Sequence, residues 1–239
     1  TANAEIFLRE ALRLNPKSAE ALGGVADILF DAGKRREALK LYNRAVAIVP
    51  DNPQLRVNRA VALLASGRAD EGWEDYEWRL RLRDKGVVRR HALTRWQGDA
   101  LAGRRLLVMA EQGLGDQIAF ASYLSTLAAE TPCIVECEPR LQPLFARSFP
   151  AARVVGSQPK LAEGRPTLDY QWLNDIGGAD IAIELCSLPL LRGTRPQDDE
   201  RGYLAPNEGE RTLWSGWLDT RSEKRRVGIC WRSGKRGGL

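Results

Sequence analysis

Residues Leu106 to Leu124 read LLVMAEQGLGDQIAFASYL. An apolar run of strand length leads into Gly113-Leu114-Gly115-Asp116, and Gln117 to Ala129 then follows the spacing of an amphipathic helix. Strand, glycine turn and helix in this order make the first part of a βαβ unit, so the segment predicts a parallel sheet with crossover helices. Aspartate is among the best helix N-caps, and Asp116 is placed to cap that helix. Glu111 and Gln112 lie at the carboxyl end of the strand, where open α/β sheets bind ligands. Whether Asp116 is a cap alone or also a base stays open.

Downstream, the alternation continues. Strands are expected near 105–110, 134–138, 152–155, 179–185 and 226–231, with helices over 117–129, 140–149 and 208–218. This is a Rossmann-like α/β layer. The glycine loop is not a P-loop, because no Gly-Lys-Ser/Thr follows, and it lacks the third glycine and ribose-binding acid of the dinucleotide fingerprint.

Upstream, the period changes. Pro16 and Pro50 are 34 residues apart, as are Ala26 and Ala60, Leu29 and Leu63, Gly33 and Gly67, and Tyr42 and Tyr76. That period marks tetratricopeptide repeats, helix-turn-helix units that bury their apolar faces only by stacking. Ala26, Ala38 and Ala45 allow close helix approach, Tyr42 fills the gap between helices, Gly33 makes the turn and Pro50 closes the second helix. The next unit, Pro53 to Leu82, departs at Gly72 and Arg79, which replace Ala38 and Ala45 of its predecessor, so its last helix is expected to pack differently. Before Pro16 one helix remains, with Ala4, Leu8 and Ala11 at matching positions and its companion expected upstream. The chain also starts at Thr1 and stops in SGKRGGL, and both ends read as cut from a longer protein.

The division expected is repeat helices over 1–84, a basic linker over 85–103, a Rossmann-like domain over 104–225 and the start of a second such domain over 226–239. The arginine-rich linker reads as solvated, although Trp96 and Leu101 call for something to pack on. His91, the single histidine, is expected there and exposed, which leaves no histidine pair for catalysis or metal binding.

Thirty-six basic and 31 acidic side chains give a net charge of +5, which permits anionic partners without requiring them. No apolar stretch approaches the roughly 20 residues of a membrane span. Cys133, Cys137, Cys186 and Cys230 lie in apolar surroundings and read as reduced, buried thiols of a cytoplasmic protein. Cys133 and Cys137 would share a strand face about 13 Å apart at roughly 3.3 Å per residue, too far for a disulfide or a shared metal.

Four stretches carry a family resemblance: EGWEDYEWRL (Glu71 to Leu80), RWQGDALAGRRLLVMAEQGLGDQIAFASYL (Arg95 to Leu124), SLPLLRGT (Ser187 to Thr194) and VGICWRSG (Val227 to Gly234). Together they resemble bacterial tetratricopeptide-repeat glycosyltransferases related to the heptosyltransferases. Where such proteins often carry an arginine before the tyrosine of FASYL, this chain has Ser122. The resemblance implies a GT-B architecture, two Rossmann-like domains facing each other across a cleft, with the acceptor on the N-terminal domain and most of the nucleotide sugar on the C-terminal one. It implies Asp116 as general base, Glu111 being the reserve candidate at the end of the strand. Gln112, Gly113, Gly115 and Gln117 would form the acceptor or phosphate loop, its glycines admitting a ligand or simply making the turn. Arg232, Ser233, Lys235 and Arg236 would reach the donor diphosphate.

The activity implied is an inverting, metal-independent transfer from a nucleotide-sugar donor to a hydroxyl of a protein acceptor held by the repeats, such as flagellin, with no other cofactor. One carboxylate takes the hydroxyl proton as the anomeric carbon is attacked. A helix N-terminus lowers that carboxylate's basicity, which a late proton transfer tolerates. Without most of the donor domain, these residues alone are expected to be inactive. The competing reading is a non-catalytic repeat scaffold for protein partners. A remoter one, RNA binding, rests on Arg79, Arg81, Arg83, Arg89, Arg90 and Arg95 with only Trp96 for base stacking, and no RNA-binding fingerprint accompanies them.

Overall fold

In the computed structural model, residues 2–82, 87–193 and 202–221 are described. The expected strand at 226–231, Cys230 and the diphosphate candidates Arg232, Ser233, Lys235 and Arg236 lie outside them, as do Arg83 and Gly86.

Five helices come first: α1 (Ala2–Leu14), α2 (Ala19–Asp31), α3 (Arg35–Ile48), α4 (Pro53–Leu64) and α5 (Ala69–Tyr76). Helix α2 begins at Ser18, whose hydroxyl accepts from the Ala21 amide, and α4 begins at Asn52, which accepts from Leu55 ahead of Pro53. Gly33 and Gly67 end the first helix of each pair in the left-handed conformation, both at φ 76°. The closures match. Gly33 N–H donates to Phe30 O and Lys34 N–H to Leu29 O, while Gly67 and Arg68 repeat the pattern on Leu64 and Leu63. Ala26, Ala38, Ala45 and Ala60 are fully buried where helices cross, and Tyr42 sends its hydroxyl to Asp27 at 2.5 Å.

The second pair departs where the sequence departs. A Cβ at Gly72 would lie 2.7 Å from Leu64 Cγ and 3.2 Å from the Leu64 amide nitrogen, so α5 approaches α4 too closely for an alanine. Helix α5 then tightens after Tyr76 into a 3₁₀ segment, Glu77–Arg81. That segment carries Arg79 inward.

The remaining strands and helices form the α/β unit. Its strands are β1 (Val88–Arg90), β2 (Thr94–Arg95), β3 (Leu106–Met109), β4 (Cys133–Cys137), β5 (Ala152–Gly156), β6 (Lys160–Ala162), β7 (Arg165–Asp169) and β8 (Ile181–Glu184). Its helices are α6 (Leu114–Phe120), α7 (Leu124–Glu130), α8 (Gln142–Ser148), α9 (Leu188–Arg192) and α10 (Glu208–Asp219). The main sheet is parallel throughout, in the order β2-β8-β3-β4-β5, and a smaller sheet has the order β1-β7-β6. Alternation along β3 sorts its residues between two cores. Leu106 and Val108 join Phe145, Leu124 and Leu188 on the helical side, and Leu107 and Met109 join Leu168, Tyr170 and Leu173 on the other. Cys133, Cys137 and Cys186 are buried, and burial pushes the first two thiols up to about 12 and the third higher. None is a ready nucleophile at neutral pH.

The strands at 106–109, 133–137, 152–156 and 181–184 fall where the sequence places them. The basic linker does not. Strand β1 pairs with β7, β2 pairs with β8, and Trp96 continues the ladder by donating to Ala182 O at 2.8 Å. Trp96 is buried with its indole N–H on Asp99 O, and Leu101 is buried as well. His91 is half-buried rather than exposed, edge-on to Tyr170. The arginines that look solvated in sequence find acidic partners from distant positions, so the segment is part of the α/β unit.

Replacing Gly67 by alanine puts a Cβ into a left-handed turn where L-residues pay about 1–2 kcal/mol. Urea unfolding of Gly67→Ala is expected to show a loss of that size with an unchanged slope on denaturant.

Candidate functional site

The strand order reverses between β3 and β8. From β3 the chain moves outward to β4 and β5, then returns to β8 on the opposite side. A crevice at the carboxyl ends of such strands is the ligand site of open α/β sheets. Residues 110–116 follow β3, and the 3₁₀ turn Leu185–Ser187 follows β8. Between them enters the end of the repeat array.

Arg79 organises this junction. Its side chain is 3 % exposed, and its five N–H protons face five acceptor contacts. Nε and Nη2 reach Glu111 at 3.1 and 2.5 Å, Nη1 reaches Glu77 at 2.7 Å and Tyr76 O at 3.2 Å, and Nη2 also reaches Ser187 Oγ at 2.7 Å. Ser187 in turn donates to Glu77, and Arg95 bonds Glu77 and Glu184 at 2.5 and 2.7 Å. The charges alternate as Glu111, Arg79, Glu77, Arg95, Glu184. Burial pulls the Arg79 guanidinium down, but Glu111 and Glu77 outweigh it and hold Arg79 above its ordinary value.

A second arginine grips the loop from the opposite core. Arg89 on β1 bonds Glu136 at 3.1 Å, the Tyr170 hydroxyl and the carbonyl of Ala110. Glu111 and Ala110, adjacent in the chain, are therefore held by separate arginines, Arg79 buried and Arg89 half-buried. Glu111 also accepts from the Cys186 amide at 3.0 Å, so both its oxygens are engaged. As the reserve base it has no free oxygen; it serves as a tether.

Asp116 is different. The helix starts at Leu114 with Gly113 as N-cap, so Asp116 is its third residue rather than the cap of a helix at 117. Its Oδ2 accepts from the Gly113 amide at 3.1 Å, the acid half of a capping box, and among the described residues its Oδ1 has no hydrogen bond. The carboxylate is exposed. The glycines do not make the turn either: Gln112 does, at φ 61°, while Gly113 has φ −84°. A Cβ at Gly115 would meet nothing within 4 Å, and one at Gly113 only the Asp116 carboxylate at 3.4 Å. The loop is thus bare where its own packing would admit side chains. Gln117 leaves the loop altogether. It is buried and accepts from the Glu138 amide at 2.9 Å, a tie between α6 and the end of β4. Ser122 is half-buried, and its hydroxyl donates to Ala119 O within its own helix turn.

Tyr76 is the residue that sequence reading treats only as a packing position. Burial pushes its hydroxyl up to about 12, with Cys186, Glu111 and Asp116 adding to the effect and Arg79 opposing it, so it remains protonated beside the loop carboxylates. Its ring lies under the Arg79 guanidinium, 4.7 Å from ring centre, and edge-on to Trp73, which in turn meets Phe120 of α6. The departure at Arg79 was the signal that could have located this junction. Of the residues behind the RNA reading, Arg79, Arg89 and Arg95 pair with carboxylates, Arg90 makes an exposed contact with Glu163, Arg81 lies over Trp78, and Trp96 is buried.

Residues 26–67 match the TPR repeat family. Over 250 residues the chain is 31 % identical to Protein FlbA of Caulobacter vibrioides, covering 97 % of this chain and 41 % of that protein. It is 35 % identical over 98 residues to the TPR repeat-containing thioredoxin TTL4 of Arabidopsis thaliana, covering 39 % of this chain and 14 % of that one. Among solved structures, a Thermobaculum terrenum O-GlcNAc transferase mutant aligns with 64 % of this chain and 37 % of its own at 16 % identity and a TM-score of 0.32. The chain spans less than half the length of each. The N-terminal region is helical and TPR-like, and the region after it is an α/β unit with a parallel main sheet. No helix among the described residues is long and apolar enough to cross a membrane.

The junction has a pH signature. Burial alone would raise Glu77, but Arg79, Ser187 and Arg95 outweigh it and hold the carboxyl below its ordinary 4.5. A depressed carboxylate stabilises the fold above its unfolded value, and that share is lost as pH falls through the lower folded value. Urea unfolding from pH 7 to 3 is expected to show Glu77→Gln clearly less stable than wild type near neutrality, with the gap closing below about pH 4.

Proposed function

We propose that this chain provides the acceptor-side part of an inverting, metal-independent glycosyltransferase of the GT-B kind, related to the heptosyltransferases. The donor is a nucleotide sugar, and the acceptor is a hydroxyl of a protein held by the repeats, with flagellin a candidate. Asp116 Oδ1 takes the proton from that hydroxyl. Oδ2 stays on the Gly113 amide, which fixes the carboxylate's direction, and Tyr76, protonated beside it, supplies a hydrogen-bond donor to the acceptor or leaving group.

The observation that carries this reading is the contrast between the two loop carboxylates. Glu111 is half-buried with both oxygens engaged, whereas Asp116 stands exposed with Oδ1 free of hydrogen bonds among the described residues, beyond the carboxyl end of β3 and next to Gly115, where a Cβ would meet nothing within 4 Å.

A second reading, a repeat scaffold that binds protein partners without catalysis, draws on the TPR match at 26–67, since such arrays offer concave surfaces to other chains. The two part on substitution. In the full-length cellular protein, supplied with cell extract and a panel of nucleotide sugars, Asp116→Asn is expected to cut transfer at least about 100-fold, the scale of a general base. Gly115→Ala is expected to cut transfer while leaving the unfolding transition in place. Sugar-sized mass shifts in acceptor that persist undiminished in Asp116→Asn contradict the base assignment, and no shift with any donor favours the scaffold.

A further inference from the structure

Away from the glycine loop, a cavity of about 470 Å³ opens between the end of β5 and the small β1-β7-β6 sheet. That is within the size range of small-molecule sites. Register places Lys160 opposite Thr167, and Arg90 opposite Asp169. Thr167 and Asp169 are two apart on β7, so all four residues project from one face of the small sheet. The neighbouring residues Arg89 and Leu168 project the other way, into the core.

Four features of the lining point to a ligand. The Lys160 side chain is exposed, and no hydrogen bond or ion pair holds its ammonium among the described residues. Among the described residues Arg90 is paired with Glu163 alone, whose side chain is 83 % exposed, a surface contact that a ligand can displace at little cost. Trp172 brings a half-buried indole to the same space. Ser157 Oγ, shielded from solvent at the end of β5, has no hydrogen-bond partner, and such an orphan calls for one. A neighbouring hollow of about 580 Å³ shares Arg90 and Asp169 but is more open and has no orphan group.

We propose that the cavity binds a sugar phosphate. Lys160 and Arg90 take the phosphate, Trp172 stacks on the ring, and Ser157 Oγ and the Asp169 carboxylate meet ring hydroxyls. The chemistry needs both parts: two cations on one face suit a dianion, and an indole with a carboxylate and an orphan hydroxyl suits a polyhydroxylated ring. The site is separate from Asp116 and stands whether or not Asp116 is a base.

Calorimetric titration of the chain with glucose 6-phosphate, glucose and inorganic phosphate tests this. Saturable binding is expected for glucose 6-phosphate, at least about tenfold tighter than for either other probe, since one charged contact is worth about that factor. Lys160→Ala and Trp172→Ala should each weaken it about tenfold or more. Lys160 is exposed, so its variant keeps the fold, and an unchanged urea transition verifies this. No saturable binding overturns the proposal, as does binding that both variants leave intact. Glucose binding equally well removes the phosphate contact, and inorganic phosphate binding equally well removes the ring contact; either result overturns the assignment.

Discussion

The structure depends on one buried guanidinium. In the preceding unit the position equivalent to Arg79 is Ala45, a fully buried residue that lets two helices touch. An arginine there gives up that packing, and it sits in a segment where the helix has tightened into a 3₁₀ turn. What stabilises the exchange is full satisfaction of the guanidinium by Glu111, Glu77, Ser187 and a backbone carbonyl. A charge so buried and lacking partners would cost several kcal/mol, so the repeat array and the sheet must sit in one relation to keep it paired. The alternation of three carboxylates and two guanidiniums extends that constraint through Arg95 to β8.

The same constraint reaches the loop. Arg79 holds Glu111 from the repeat side and Arg89 holds the Ala110 carbonyl from the opposite core, so the chain leaves β3 with its direction set. Gln112 then adopts a left-handed conformation that a non-glycine residue takes only when its surroundings impose it. That single residue turns the chain into α6 and brings Asp116 to the surface. The rigidity lies in the tethers; Gly113 serves as N-cap, and Gly115 faces open space.

Much of this was legible in the sequence, and the reasons for success and failure are physical. The 34-residue period reports helix packing directly, because each repeat places small residues at the same crossings. The strands at 106–109, 133–137 and 181–184 are apolar enough to be buried on both faces, and the edge strand at 152–156 carries Val154 and Val155, so they stand out as runs. The strands at 88–90, 94–95, 160–162 and 165–169 are two to five residues long and rich in arginine, lysine and proline, so neither period nor hydropathy marks them. The linker reading failed because the charges that neutralise Arg89 and Arg95 come from Glu136 and Glu184, far along the chain. Asp116 is legible in the sequence, but the helix begins three positions earlier than its pattern suggests, since a glycine gives no sign of acting as N-cap. Gln117 looked like a loop residue and is buried, a difference that only the third dimension decides.

The most direct test is a double-mutant cycle on Arg79 and Glu111, read by urea unfolding. If the buried pair joins the two halves, Arg79→Ala and Glu111→Ala each cost about 3–5 kcal/mol, because each leaves an unpaired charge inside. The double variant then costs little more than either single one, a coupling of at least about 1.5 kcal/mol. Costs that simply add would mean that the pair carries no shared energy, and the junction would not be what holds the glycine loop in place.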